Sequence, residues 1–327
     1  MISAALAKEL QDRFLERQPQ IVSLARALVE SESPSGDQAG SRAVVELLAK
    51  AAESAGCVNS IDRVDVPDFG QHLVIRAFQE KAAAGNIILV GHTDTVHLRG
   101  SITERPWRPE GNRIYGPGIF DMKANCALAV AVLHACSDFH IVPNYGVILA
   151  LTCDEEVGSS SGWLVLRSIA EKESVKSALI LEPPAPGGRV KTGRKGTGIF
   201  TMHVEGRAAH AGLDPEKGAS AILELAKQID HLHALNLSGS GITVNVGVVH
   251  GGTRSNVVAA DATAEIDVRF STAAEAKIVE ATLRDAKPYD ERVRIQITGG
   301  INRPPLERTE KVVEIYELAR TIAALLD

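Results

Sequence analysis

Apolar residues recur at three- and four-residue steps through roughly residues 2 to 31 and 36 to 56, the spacing that gathers them on one face of a helix. The pattern then shortens to strand-like runs at Ser60 to Val66 and His72 to Phe78, followed by the buried run IILVGH. From there helix and strand alternate. A helix is predicted over about Lys123 to Ser137, a buried strand at YGVILALT, a helix near Ser161 to Glu173 and a strand at SALILEP. That rhythm predicts an α/β layer with a mixed, mostly parallel sheet, whose chemistry should gather at the carboxyl ends of the strands.

The rhythm changes after LEPPAPGGRVKTGRKG, a stretch dense in Gly and Pro. The chain then reads strand (Gly198 to Glu205), helix (Lys217 to Ala234), strand (Ile242 to Val249), strand (Val257 to Phe270), helix (Thr272 to Ala286) and strand (Arg292 to Thr298). The order βαββαβ is that of a ferredoxin-like unit. The organisation predicted is a first domain over 1–193, an inserted domain over 194–301 closed by GGINRPP, and a return to the first domain over 302–327 in a helix from Glu307 to Leu326. At 327 residues with 45% hydrophobic content, two cores are the natural expectation.

Charge amounts to 35 − 41 = −6 without long like-charge runs, which argues against nucleic acid or an anionic membrane as partner. Cys57, Cys126, Cys136 and Cys153 form no CxxC pair, so neither a disulfide framework nor a thiolate zinc cage is suggested, and a reducing, cytoplasmic setting fits. The start reads as an amphipathic helix rather than a signal peptide, and no apolar run approaches membrane-spanning length.

Four polar clusters follow strands or open helices: GHTDTV, YGPGIFDMK, LTCDEEVGS and LILEPP. Taken singly, each has an ordinary reading. His92 suits a hydrogen-bonded strand-end position, Asp121 a helix N-cap, and Glu155 with Glu156 a solvated pair. Taken together they bring imidazole and carboxylate to one edge of one sheet. Asp154, Glu155 and Glu156 beside an apolar strand would repel one another unless a cation compensates. One histidine with carboxylates and no thiolate favours zinc, with cobalt or manganese as substitutes, over calcium.

In order and interval, GHTDTV, GPGIFDMKAN, DEEVGS, LEP, AAHAG, GGTRSNVV and NRPP resemble the di-zinc metallopeptidase family that contains glutamate carboxypeptidase, aminoacylases and succinyl-diaminopimelate desuccinylase. The likeness runs from about residue 20 onward, and GRKG with NRPP is most similar to the glutamate carboxypeptidase branch. It implies that Asp121 bridges two Zn2+, that His92 and Glu182 complete one, and that Glu156 binds the other. Asp94, two residues from His92 on the same face of an extended chain, would orient the imidazole. The peptide after the bridging aspartate is often cis in this family, so the resemblance points to Asp121-Met122. Glu155 would be the general base for a hydroxide lying between the zincs. His210 resembles the oxyanion-stabilising histidine that reaches the partner's active site in homodimers formed through the inserted domain.

The substrate implied is a small molecule or short peptide with a free carboxylate, bound by Asn256, Arg269 and Arg303. For Arg269 a surface ion pair with Asp267 or Glu265 competes, since alternation puts the three on one face. The activity implied is hydrolysis of an amide bond to a carboxylate-bearing amino acid. N-acyl amino acid deacylation, or a non-catalytic metal-binding or dimeric scaffold, are the alternatives. The family's second zinc takes a further histidine from well beyond NRPP, and none follows His250 in this sequence. The resemblance therefore implies additional sequence that would bring this ligand, a sheet edge and a helix, in preference to a shortened homologue without turnover.

Overall fold

The computed structural model describes residues 3–236 and 240–326; residue 2, where the first helix was expected to start, lies outside them. Two compact units result, one of residues up to Gly187 with those from Ile322 on, the other Gly188–Thr321.

In the first unit, helices α1 (Ala4–Glu30) and α2 (Gln38–Glu53) precede the hairpin β1 (Val58–Val66) and β2 (Gly70–Ala77). Strand β3 (Asn86–His92), a short turn of helix α3 (Ser101–Glu104) and the small hairpin β4 (Arg108–Glu110) and β5 (Arg113–Tyr115) lead to helix α4 (Ala124–Asp138). Strand β6 (Gly146–Thr152), helix α5 (Gly162–Lys172) and strand β7 (Val175–Ile180) complete it. Polar caps start the first two helices: Ser3 accepts from the Leu6 amide and Asp37 from that of Gly40.

The sheet order is β1-β2-β6-β3-β7. Strand β3 runs parallel to both β6 and β7, whereas β1–β2 and β2–β6 are antiparallel. The sheet is mixed as expected, but its two kinds of pairing are equal in number rather than mostly parallel. The tight turn VPDFG between β1 and β2 forces a hairpin, and that hairpin supplies the antiparallel half.

Alternation along the strands builds two cores. Leu73, Ile75, Leu149 and Leu151 face Leu28, Val44, Leu48 and Leu133 of α1, α2 and α4, while Val74, Ile88, Ile148 and Ala150 face Ile169 of α5. Each such Leu, Ile or Val side chain removed from water contributes about 1.5–3 kcal/mol. The run Ile119–Asp138, with mean hydropathy 1.4, does reach membrane-spanning length, contrary to expectation, but half of it is buried inside the unit. Its Met122, Cys126 and Leu133 belong to the core, which accounts for the apolar composition.

The second unit contains β8 (Gly196–Glu205), α6 (Ala221–His233), β9 (Thr243–Gly251), β10 (Asp261–Phe270), α7 (Ala273–Arg284), β11 (Arg294–Arg303) and most of α8 (Glu310–Ala323). The βαββαβ order closes into an antiparallel sheet β11-β8-β10-β9. Phe200, Met202, Val204, Ile266, Val268 and Phe270 pack against Leu225 and Leu232 of α6 and Val279 and Leu283 of α7. Strand β11 continues through Gly299 and Gly300 to Arg303, so these residues extend the sheet.

Candidate metal centre

Three adjacent parallel strands end at one level. His92 closes β3 opposite Thr152 of β6, and Val90 stands opposite Ile180 of β7, so Glu182 arrives beside His92 two residues later. The Leu181 amide donates to the Val90 carbonyl at 2.8 Å and the Thr93 amide to the Thr152 carbonyl at 2.8 Å, extending both ladders into the loops. Asp121 comes from the turn before α4. There Met122 Sδ accepts from the His92 amide at 3.3 Å, Cys126 Sγ donates to the His92 carbonyl at 3.2 Å, and the buried Lys123 ammonium donates to the Leu28 carbonyl at 2.7 Å. The Asp121-Met122 peptide is cis.

These elements bring His92, Asp121 and Glu182 together, with one donor atom from each within 4.8 Å of the others. His92 Nε2 lies 3.1 Å from Asp121 Oδ1 and 3.5 Å from Glu182 Oε1. The imidazole is buried at 1% exposure while the Asp121 carboxylate, 51% exposed, stands at the mouth. Nδ1 faces the other way, donating to the Asp94 carbonyl at 3.0 Å with Oδ1 of the Asp94 carboxylate at 3.4 Å. His92 thus meets both the main chain and the side chain of Asp94, and the hydrogen bond of better length goes to the main chain.

The electrostatics fit a cation. Burial works against a charged His92, but the Asp94 hydrogen bond and the charges of Asp94, Glu182 and Glu155 outweigh it and push its pKa up to about 9. Glu182 and Glu156 are raised by burial and by neighbouring acids, Asp121 and Glu155 among them, with His92 opposing. Among the described residues no Arg or Lys pairs with Asp121, Glu155, Glu156 or Glu182. Imidazole nitrogen with carboxylate oxygens, crowded and balanced by no Arg or Lys among the described residues, is a donor set suited to a zinc-like dication. Glu156 stands outside the group of three, with its amide rather than its carboxylate fixed in place.

Two features escaped sequence reasoning. The Asp94 carboxylate accepts from the amides of Glu155 (3.2 Å) and Glu156 (3.1 Å) and from Ser35 Oγ (2.6 Å), so it holds the DEE turn as well as facing His92. The polar loop SESPSGD was the only hint of Ser35. Asp154, expected to repel its neighbours, takes the amides of Ser161 and Gly162 and the Ser161 hydroxyl, so its charge is met by protein donors. Only its neighbours call for a cation.

The remaining predicted residues lie in the second unit and form two groups. His210 and Asn256 meet on adjoining segments, where the Ala211 amide donates to the Asn256 carbonyl at 3.0 Å. His210 Nδ1 accepts from the amides of Gly212 (3.1 Å) and Leu213 (3.2 Å), which leaves the neutral ring's proton on Nε2. Arg269 and Arg303 stand opposite Thr197 from either side of β8, in one cross-strand row. Arg269 is bound through Nε and Nη2 to Asp267 at 2.7 and 2.9 Å, the ion pair that competed with a substrate role. The Arg row is at the start of β8, and the His210 and Asn256 segments lie beyond its end, about 30 Å away at strand rise. The structure does not bring these two groups together within one copy.

A donor cluster of this kind at the carboxyl ends of a mixed α/β sheet, in a chain with a βαββαβ unit, is the arrangement of a candidate metal-dependent site. Residues 192–287 match the family described as Peptidase dimerisation domain. The chain is similar to Carboxypeptidase G2 of Pseudomonas sp. (strain RS-16), 28% identical over 294 residues that cover 87% of this chain and 69% of that protein. It is similar also to Succinyl-diaminopimelate desuccinylase of Dinoroseobacter shibae, 28% identical over 287 residues covering 80% and 71%. The solved structure of aminopeptidase PepT from Bacillus cereus ATCC 10987 shares the fold at TM-score 0.69 and 21% identity, covering 91% of this chain and 80% of that one. The chain spans 59% to 71% of the length of four curated relatives.

Proposed function

We propose that the chain carries the catalytic machinery of a metal-dependent hydrolase that cleaves an amide bond to a carboxylate-bearing amino acid. The observation that carries this reading is the convergence of His92, Asp121 and Glu182 at the ends of parallel strands, beside a DEE turn held by Asp94. Two divalent cations, Zn2+ for this donor set with Co2+ or Mn2+ as substitutes, would make water acidic near neutral pH and polarise the scissile carbonyl. His92 and Glu182 would hold one, Glu156 the other, and Asp121 both.

The chain's own groups divide the remaining work. Glu155 accepts the proton of the attacking water and returns it to the leaving amine. Asp94 keeps Nδ1 of His92 as donor, so that Nε2 is the ligating atom. His210, with its proton on Nε2, donates to the oxygen that gains charge. Arg303, Asn256 and Arg269 serve the free carboxylate, Arg269 after exchanging Asp267 for it. In a homodimer each copy would give its arginine row to one site and His210 with Asn256 to the other. Free thiols at all four cysteines suit a reducing, cytoplasmic setting. The similarity to a desuccinylase supports N-acyl amino acid deacylation as the second reading.

Purified protein from its native source, assayed with zinc against acyl-glutamates, dipeptides and N-succinyl amino acids, tests the proposal. Turnover that chelation abolishes supports it, and the preferred substrate separates the two readings. Stoichiometric zinc with no turnover on any of them would sink the hydrolase.

A further inference from the structure

A second polar network lies behind the DEE turn, and no step above uses it. His72, from β2, is 1% exposed and Asp154 wholly buried. His72 Nδ1 accepts from the Cys153 amide at 3.1 Å, so a neutral ring carries its proton on Nε2, which lies 3.1 Å from Ser161 Oγ. Ser161 Oγ in turn donates to Asp154 Oδ2 at 2.7 Å. The same carboxylate accepts the amides of Ser161 at 2.7 Å and Gly162 at 3.1 Å, the first donors of α5. Although His, Ser and Asp are the residues of a nucleophilic triad, the protons run the other way. Imidazole donates to hydroxyl and hydroxyl to carboxylate, so Ser161 is a spacer and its oxygen is not activated.

The network has little slack. A Cβ on Gly162 would come 2.7 Å from Asp154 Oδ1 and 2.8 Å from Thr152 Cγ2. Asp154 immediately precedes Glu155, and the turn closes with the Gly158 amide donating to the Glu155 carbonyl at 2.9 Å and that of Ser159 to the Asp154 carbonyl at 2.8 Å. Asp94 grips the Glu155 and Glu156 amides of the same turn. His92 and Glu182 are held mainly by other means, the ladders of β3 and β7 and the Asn125 side-chain amide, which donates to the Leu181 carbonyl at 2.6 Å, and Asp94, which touches both His92 and the turn, has its own anchor in Ser35.

We propose that His72, Ser161 and Asp154 form a buried positioning relay that presets the Glu155–Glu156 turn, so that it governs the cation position served by Glu156 and the proton transfer by Glu155 while leaving the His92–Glu182 position unaffected. The inference rests on the metallohydrolase reading. Its signature is an asymmetry between two cation positions that share Asp121.

The test is Zn2+ binding to the metal-free full chain, followed by calorimetry and repeated with Co2+ for its visible absorption. Ser161→Ala and His72→Gln should weaken the weaker equivalent about 10- to 100-fold, the usual cost of removing an outer hydrogen-bond partner, and leave the tighter one within about twofold. Ser161→Thr, which keeps the hydroxyl, should restore it. The Co2+ spectrum should change for the second equivalent only, and kcat should fall with KM unchanged. Equal weakening of both equivalents, or a lower Tm with both affinities intact, overturns the relay. So does a single equivalent that no variant disturbs. A wild type that takes up neither metal overturns the metallohydrolase reading itself. Nitrogen-15 NMR of the wild-type histidines checks the relay even where a variant fails to fold: a His72 ring protonated on Nδ1 is incompatible with it.

Discussion

Asp94 and Asp154 are both acids buried beside the same turn, and what separates their roles is the set of donors each meets. Asp154 is answered by backbone and hydroxyl donors, whereas the Asp94 carboxylate shares itself among two amides, Ser35 and the His92 ring. Glu155 has its amide fixed, and among the described residues no Arg or Lys pairs with its side chain, which leaves it open to act as a base. Glu155→Gln should therefore lower kcat by about 10² to 10⁴, the usual contribution of general base catalysis, with bound zinc unchanged. Kinetics alongside elemental analysis checks this, and joint loss of metal and rate would make Glu155 a ligand instead. The converging residues His92, Asp121 and Glu182 could be read in the sequence because each follows an apolar run or opens a helix. Ser35 and His72 could not. Their partners are 59 and 89 residues distant, and a lone polar residue carries no sign of the one it will meet.

Elements were legible wherever one periodicity ran unbroken, as in α1, α2 and the βαββαβ order. Legibility failed where backbone pairing decides, as in β11, whose Gly299 and Gly300 look like a linker until β8 pairs with them. Capping shows the same local logic in energetic form. Thr272 and Glu275 cap α7 reciprocally, and the Glu275 carboxylate also takes the amides of Gly241 and Ser271, both at 2.7 Å. Slight burial would raise its pKa, but these amides outweigh that and hold it below the usual value of 4.5. A depressed carboxylate stabilises the fold above its unfolded pKa, and the contribution fades as pH falls through the lower folded value. Glu275→Ala should then cost about 1 kcal/mol at neutral pH and progressively less below pH 4.5. Urea unfolding of both proteins across that range measures it, and a difference that grows in acid would contradict the assignment.

The two units have separate cores, so damage to the core of one should spare the metal binding of the other. Phe200 is fully buried in the second unit, and Phe200→Ala should cost about 3–5 kcal/mol there while zinc uptake at His92, Asp121 and Glu182 persists. The sheet of the second unit has two edges, and they are unlike. On β11 the Gly299 carbonyl is taken by Arg284 Nη2 at 3.1 Å, and Arg294 and Arg303 stand exposed. The β9 edge instead presents Val248 and Val249, 39% and 49% exposed, with Ile222 and Leu223 exposed on neighbouring α6. An unpaired apolar strand is a template for another strand, and a two-fold axis lets it serve both copies at once. The chain should thus sediment as a dimer at micromolar concentration through β9 and α6. Val249→Asp combined with Leu223→Asp sets like charges against each other across that axis and should give a folded monomer by circular dichroism and sedimentation. If the unaltered chain sediments as a monomer, His210 has no partner site to reach, and the separation of His210 and Asn256 from the arginine row at the other end of β8 needs a different explanation.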